Sequence, residues 1–415
     1  MSVRRFLIAL LAAGWLLDSA AAYGDLFVRR ARLFPVGPNP CAIVAGDLND
    51  DGLPELITAD RGQLTNPQEE RPANDELSLL IAREELEYVK HHPSLKTGFG
   101  PYAITLANID ALKWPDIIVV NFLASRNRDI TLFLNLQTEQ IFELAAFSVP
   151  DQGLAYFRQR DGEGAPIFTK PGLTACAVRD FNGDGLRDLV TTCWSSDALA
   201  LLPGHADTYF DVPVFFESKG GPRDIALGDF DSDGHTDLAV AMYASNEVAL
   251  WRGDGTLGFE EVTRFPTRGR LPTCIRAADF NTDGQLDLAV SHRYTDDSIV
   301  LFFGTGSFHF GLSQELMLGE NRELLECGIR DIAVADLNED GRADIAAACY
   351  SAGVTKVLIN EEAASTASPR FRTEEYRFPD ARPRAVCVAD FNSDGKRDLA
   401  VALWEANAVG LLIQQ

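Results

Sequence analysis

Short apolar runs of five or six residues recur along the chain, each bounded by a cluster of Asp, Asn, Gly or Ser. Almost none of them carries the 3.6-residue spacing of an amphipathic helix. The runs follow a fixed order. Residues 224–228 precede an acidic loop, residues 238–242 follow it, a polar turn comes at 244–246, and a third run spans 248–251. Equivalent third runs lie at 299–303 and 409–413. An aromatic closes the second run in one register, at Phe122, Trp194, Tyr243, Tyr350 and Trp404. Five units place Pro seven residues ahead of the loop, at Pro40, Pro101, Pro222, Pro272 and Pro383. Proline suits a strand start because it has no N–H to give to a ladder. The helix-like patch at 84–90 is short. Four strands in each unit of about 50 residues predict a β-propeller blade. Seven such units predict an all-β, seven-bladed propeller in one domain, residues 23–415. The last unit stops after its third strand, and residues 26–34 offer a spare strand ahead of the first. Joining the two is expected to complete the last blade and leave no open edge.

The loops carry the chemistry. Six of them read Asp-x-Asn/Asp-x-Asp-Gly-x-x-Asp/Glu. They are Asp47-Asn49-Asp51 with Glu55, Asp180-Asn182-Asp184 with Asp188, and Asp229-Asp231-Asp233 with Asp237. The other three are Asp279-Asn281-Asp283 with Asp287, Asp336-Asn338-Asp340 with Asp344, and Asp390-Asn392-Asp394 with Asp398. A worn copy, Asn108 to Asp116, has Leu112 and Lys113 where the others have Asp-Gly. Alternating oxygens, a sharp Gly turn and a carboxylate at position nine suit calcium, which takes six to eight oxygen ligands. Position twelve is Thr58, Thr191, Val240, Val290, Ala347 or Val401, so the helix–loop–helix calcium motif with its terminal Glu is excluded. Without cations, the carboxylates of one loop repel one another.

These loops and their flanking strands resemble the FG-GAP/VCBS repeats of integrin-α-like propellers, over nearly all of the chain beyond residue 22. The resemblance implies calcium held structurally in the six intact loops, between the first and second strands of each blade. The Phe-Gly pair that names the family is mostly missing ahead of the loops, so the chain looks like the bacterial VCBS-type variant. Likeness in fold to integrins does not imply a receptor.

Composition narrows the partners. The chain has 415 residues, 46% of them hydrophobic, which excludes wholesale disorder. Lys+Arg 37 against Asp+Glu 61 gives a net charge of −24, which argues against nucleic acid and anionic membrane as partners. Arg4 and Arg5, the apolar run 6–17 and Ala20 to Ala22 read as a signal peptide, residues 1–22, cleaved near Ala22. A dozen apolar residues are too few for a hydrocarbon core of roughly 30 Å, and no later stretch is longer, so no integral membrane segment is expected after cleavage. The expected location is secreted or periplasmic. Seven cysteines are too scattered for a disulfide scaffold. Most read as small core residues. Cys176 and Cys193, facing each other across an expected hairpin, are a candidate disulfide.

Function is expected on the face opposite the loops. Cys41, Tyr102, Thr174, Arg223, Thr273, Arg330 and Arg384 share the register just after the repeated Pro and are expected to ring the channel mouth. Arg223, Arg330 and Arg384 are candidates for a carboxylate- or sulfate-bearing ligand; the alternative is that they pair with Asp224 and Asp331. The second strands end at Asp60, Asn121, Cys193, Met242, His292, Cys349 and Leu403. With Trp194, Tyr243, Arg293, Tyr350 and Trp404 beside them, they form either an aromatic-lined binding surface or packing between blades. Long insertions at 61–74 and 151–172 belong to the same face. His91 and His92 read as a solvated loop. The chain has no Gly-x-Ser-x-Gly, phosphate loop or His-Glu-x-x-His. The leading reading is therefore a calcium-stabilised binding module for a glycan or protein partner. The alternatives are a polysaccharide lyase-like enzyme on the same fold and an adhesive surface component.

Overall fold

The apolar runs pair as seven antiparallel sheets that form the blades, six of them four-stranded and that of blade one extended by a fifth short strand, Leu95–Lys96. The computed structural model describes residues 26–62, 74–110, 112–123, 128–136, 142–149, 172–293, 298–319, 327–361, 369–378 and 380–415. The leader-like segment 1–22 and most of the insertions at 61–74 and 151–172 lie outside the described residues.

In blades one to seven the inner strands are Pro40–Gly46, Pro101–Ala107, Leu173–Arg179, Pro222–Gly228, Pro272–Ala278, Ile329–Ala335 and Pro383–Ala389. Each neighbours the next, and that of blade seven returns to that of blade one, so the ring closes. The second strands are Glu55–Asp60, Asp116–Asn121, Asp188–Cys193, Asp237–Met242, Asp287–His292, Asp344–Cys349 and Asp398–Leu403. Both ends of the chain build blade seven. Phe27–Pro35 pairs antiparallel with Ala408–Gln414, with Phe27 opposite Gln414 and Pro35 opposite Ala408.

The second strands are buried along their whole length, because each is sandwiched between two neighbouring blades. Alternation along the strand then sends side chains into two different interfaces. Leu238, Val240 and Met242 pack toward blade three, while Ala239 and Ala241 pack toward blade five. The Leu-Ala-Val-Ala pattern thus fits a large face against a small one. Apolar packing is divided among seven interblade clusters. The second residue of each loop plugs into the next interface, as Phe280, Phe391 and Leu337 do at 1% exposure or less. A loop that loses its shape therefore disturbs a blade contact.

Two expectations need correction. Residues 84–90 form the tight turn of a hairpin, with Glu84 opposite Glu87 and Leu86 at φ 60°. Leu80, Ala82 and Tyr88 are its buried positions, so the pattern is that of a sheet face. The disulfide joins Cys327 to Cys349 in blade six, and Cys176 and Cys193 are free thiols. Register explains this: Cys176 faces Thr191, and Cys193 faces Leu173, across a strand with one extra residue.

That extra residue is general. Every inner strand has a register shift just after its first residue. A bulge re-aims a side chain, and here it turns residues such as Tyr102, Arg223, Arg330 and Arg384 toward the mouth of the channel.

Candidate functional site

The acidic loops are built by their own hydrogen bonds. In all six, the Oδ2 of the first Asp accepts the N–H of the Gly at position six, at 2.8–3.0 Å. The Oδ1 at position five accepts the N–H of position seven, at 2.8–3.0 Å. The glycines sit at φ 83° to 88°, and an added Cβ would meet nothing within 4 Å. Backbone conformation, not space, requires glycine there. In blade four, which alone has Asp at position three, ligand atoms of Asp229, Asp231 and Asp237 lie within 4.8 Å of one another. This oxygen-only donor set fits a hard divalent cation.

Position nine has a second task. One oxygen of this buried carboxylate accepts the N–H of loop position two, as Asp237 does from Phe230 at 2.8 Å. In blades two to seven the other accepts an N–H from the third strand, such as Gly253 at 2.9 Å, or in blade three from Gly204 two residues beyond it. The acid therefore staples loop to sheet. Burial raises these groups, their N–H bonds oppose the rise, and the other loop carboxylates add to it. Asp237, Asp287, Asp344 and Asp398 reach about 6 and Glu55 about 7. The worn loop keeps the staple, with Asp116 accepting from Ile109 and Asn135, each at 2.8 Å. Its Lys113 pairs with Asp50 of the blade-one loop.

At the opposite end of the inner strands lies a cavity of about 820 Å³. All seven residues that follow the second strands line it: Arg61, Phe122, Trp194, Tyr243, Arg293, Tyr350 and Trp404. Each is held by the same bond. Its N–H donates to the carbonyl of the residue just before the inner strand of its blade, at 2.8–3.3 Å. Six of those residues are left-handed, four of them Gly, with Asn39 and Leu271 completing the six. From the inner strands come Tyr102, Arg223, Arg330 and Arg384. Among the described residues, the lining holds five guanidiniums and one carboxylate, Glu405, in a chain of net charge −24.

Aromatic rings run in an arc from blade two to blade four. Tyr102–Phe122, Phe122–Trp194 and Trp194–Tyr243 centroids are 5.7, 5.9 and 6.4 Å apart. Arg61 lies over Tyr102 at 5.0 Å and over Phe122 at 5.4 Å, and Arg330 over Tyr350 at 5.0 Å. The Tyr102 hydroxyl accepts from Arg223 and, at 3.4 Å, from Arg384. Burial raises the Tyr102 phenol, but Arg223, Arg384 and Arg61 together outweigh it and hold the phenol below its ordinary value.

The sequence matches the FG-GAP-like repeat family in three places, residues 180–240, 229–290 and 336–401. These are blades whose loops and strands are described above. The chain is a seven-bladed propeller that carries FG-GAP-like repeats in these stretches. No curated protein matches it. Among solved structures it is similar in fold to BBS1N in complex with ARL6DN, at 14% identity and TM-score 0.59, covering 94% of this chain and 98% of that one. A catalytically inactive virginiamycin B lyase from Staphylococcus aureus with quinupristin aligns at 12% identity and TM-score 0.55, over 92% and 99% of the two chains. A streptogramin B lyase aligns at 15% and 0.57, over 92% and 97%. Identities this low establish the fold alone.

Within this propeller, the structure sorts the sequence candidates. Arg223, Arg330 and Arg384 do meet at one mouth. They do not take Asp224 and Asp331, because Arg276 does, at 2.7 and 3.1 Å. The residues that end the second strands are buried between blades, and the cavity belongs to the residues one step further on. Aromatic packing and aromatic lining are not alternatives here, since the same rings do both. Sequence reading missed Arg61 and Arg276. Arg61 holds the register of the aromatics, which was the available signal, but it opens an insertion and is not aromatic. Nothing local marks Arg276, whose partners come from two other blades.

One buried end residue carries a pH prediction. Burial lifts Asp60 to about 6, against bonds from Ser78, Thr58 and Gly37. A carboxyl raised in the folded state costs stability when ionised, so its contribution improves as pH falls through 6 toward 4. Asp60→Asn is expected to remove a gain of roughly 2–3 kcal/mol over that range. Melting temperatures of both proteins against pH test this; parallel curves would contradict it.

Proposed function

We propose that the chain is an exported, calcium-stabilised recognition module that binds a ligand in the cavity opposite its acidic loops. The observation that carries this reading is the cavity lining: seven equivalent positions, one per blade, converge as rings and guanidiniums. Ligand pockets are concave, ring-rich and furnished with a few directed polar groups, and this one has that make-up. Flat ring faces and amide-bearing neighbours favour a glycan over a protein surface.

Calcium in this reading is structural. The side-chain oxygens of positions one, three and five, the position-seven carbonyl and the position-nine carboxylate hold it, and it neutralises the loop. Asp47, Asn49, Asp51 and Glu55 do this in blade one, and their counterparts do so in blades three to seven. The Asn108–Asp116 loop lacks the fifth-position acid and stays outside the set. Export is supported by the pattern of residues 1–22 and by the Cys327–Cys349 disulfide, a bond suited to an oxidising compartment. Intact mass of protein recovered outside the cytoplasm is expected to show a chain starting at Tyr23. An uncleaved chain retained inside the cell would argue against export.

A glycan array on the cation-loaded protein, repeated after chelation, tests the function. Selective hits that vanish with chelator, and with Trp194→Ala, support the module. Hits indifferent to Trp194 place the site elsewhere. A polysaccharide lyase-like activity is a second reading, favoured by the Tyr102 phenol set among cations. It requires unsaturated sugar products to accumulate with time, and binding without turnover excludes it.

A further inference from the structure

On the reading that the cavity is the binding site, we infer that its occupant is an acidic oligosaccharide whose carboxylate lies at the Tyr102 corner, between Arg61, Arg223 and Arg384. Three guanidiniums from blades one, four and seven converge on one phenol of blade two. Among the described residues, none of the three forms an ion pair with a carboxylate. The nearby acids are already taken. Asp224 and Asp331 go to Arg276, and Glu405 pairs with Arg382 at 2.8 Å. The Nε of Arg61 is buried and has no hydrogen-bond partner among the described residues.

Such a corner is unfavourable empty, because like charges repel and half-buried guanidiniums lose solvation. Burial in fact lowers the Arg61 guanidinium from its ordinary value. An anion relieves both costs. A planar carboxylate matches the guanidinium fork better than a spherical ion, because two parallel N–H···O bonds form at once. The rest of the ligand is defined by what adjoins the corner. Phe122, Trp194 and Tyr243 continue from Tyr102 as a wall of ring faces. Asn39, Asn407 and Glu405 also line the cavity, and beyond their bonds to Trp404, Asn39 and Arg382 they keep polar capacity for hydroxyl groups. A volume of about 820 Å³ accommodates a short oligosaccharide. A carboxylate followed by flat, hydroxyl-bearing rings is a uronate oligomer.

Calorimetry and tryptophan fluorescence on the cation-loaded full chain test this. The probes are a uronic acid trisaccharide, a neutral trisaccharide, sodium sulfate and an acidic hexapeptide. The uronate is expected to bind and to change Trp194 emission, with Trp194→Phe removing the change. Arg223→Gln and Arg384→Gln are each expected to weaken binding about 10- to 100-fold. Arg384→Lys, which keeps the charge without the fork, should recover only part of that. Arg252→Gln, on an exposed outer position, should change nothing, and melting curves check that each variant folds. Equal binding of neutral and acidic sugars at Trp194 would overturn the acidic ligand and leave the cavity reading standing. Tighter binding of the hexapeptide would overturn the sugar, and sulfate matching the uronate would overturn the carboxylate fork. No probe reaching Trp194 would overturn the cavity reading with it.

Discussion

Stripping divalent cations from the folded protein is expected to lower its melting temperature by about 15 °C or more. Six loops each hold three or four carboxylates within a few residues. Their internal N–H bonds shape the loop but do not cancel its charge. A cation that binds only the folded loop stabilises by mass action, about 2.7 kcal/mol per site at a hundredfold excess over Kd. The effect reaches the core because position two of each loop is a plug in a blade interface, Phe280 and Leu337 among them. Differential scanning calorimetry in calcium and in chelator, with metal content measured in both, decides the matter. An unchanged transition in protein verified free of metal would remove calcium from the account. Asp233→Ala should cost one site and spare the other five, because the loops share no ligand residue. Loss of all bound metal from that variant would show the sites to be coupled.

Replacing Asp116 by Ala is expected to cost about 2–5 kcal/mol, and to cost the same in calcium and in chelator. The residue sits in the worn loop, where Leu112 and Lys113 have displaced the fifth-position acid and the Gly. Its carboxylate nonetheless receives the N–H groups of Ile109 and Asn135, both buried. Truncation strands two donors away from water, at about 1–3 kcal/mol each. Asp116→Asn keeps one acceptor and should lose roughly half as much. Asp237→Ala, by contrast, removes staple and cation ligand together, so part of its cost should disappear in chelator. Denaturant unfolding of the three variants under both conditions separates the roles. A chelator-sensitive cost at Asp116 would mean that this loop, too, binds metal.

The persistence of Asp116 was visible in the sequence, but its role was not. It could not be read as a staple, because one of its two partners is a backbone N–H of the third strand, 19 residues away. The blade count and the placement of the acidic loops were legible for the opposite reason. Turn chemistry, period-two burial and the repeated Pro are local, and seven copies of a local signal reinforce one another. The helix-like reading of 84–90 failed where only one copy was available.

The sequence by itself determined a propeller of acidic-loop repeats, with arginines and aromatics in two adjacent registers at the far end. These follow from periodicity, which each stretch of chain carries within itself. Only the tertiary structure decided which charges meet. Arg276, rather than Arg223 or Arg330, takes Asp224 and Asp331. Cys349 bonds Cys327, and Arg61 joins Tyr102. A single extra residue in each inner strand turns a side chain toward the channel, and closure of the ring brings blades one, two, four and seven to one corner. Direction and distance across the ring axis set those partnerships. Neither is a property of neighbouring residues, so a chain of net charge −24 conceals a cavity with five guanidiniums until it is folded.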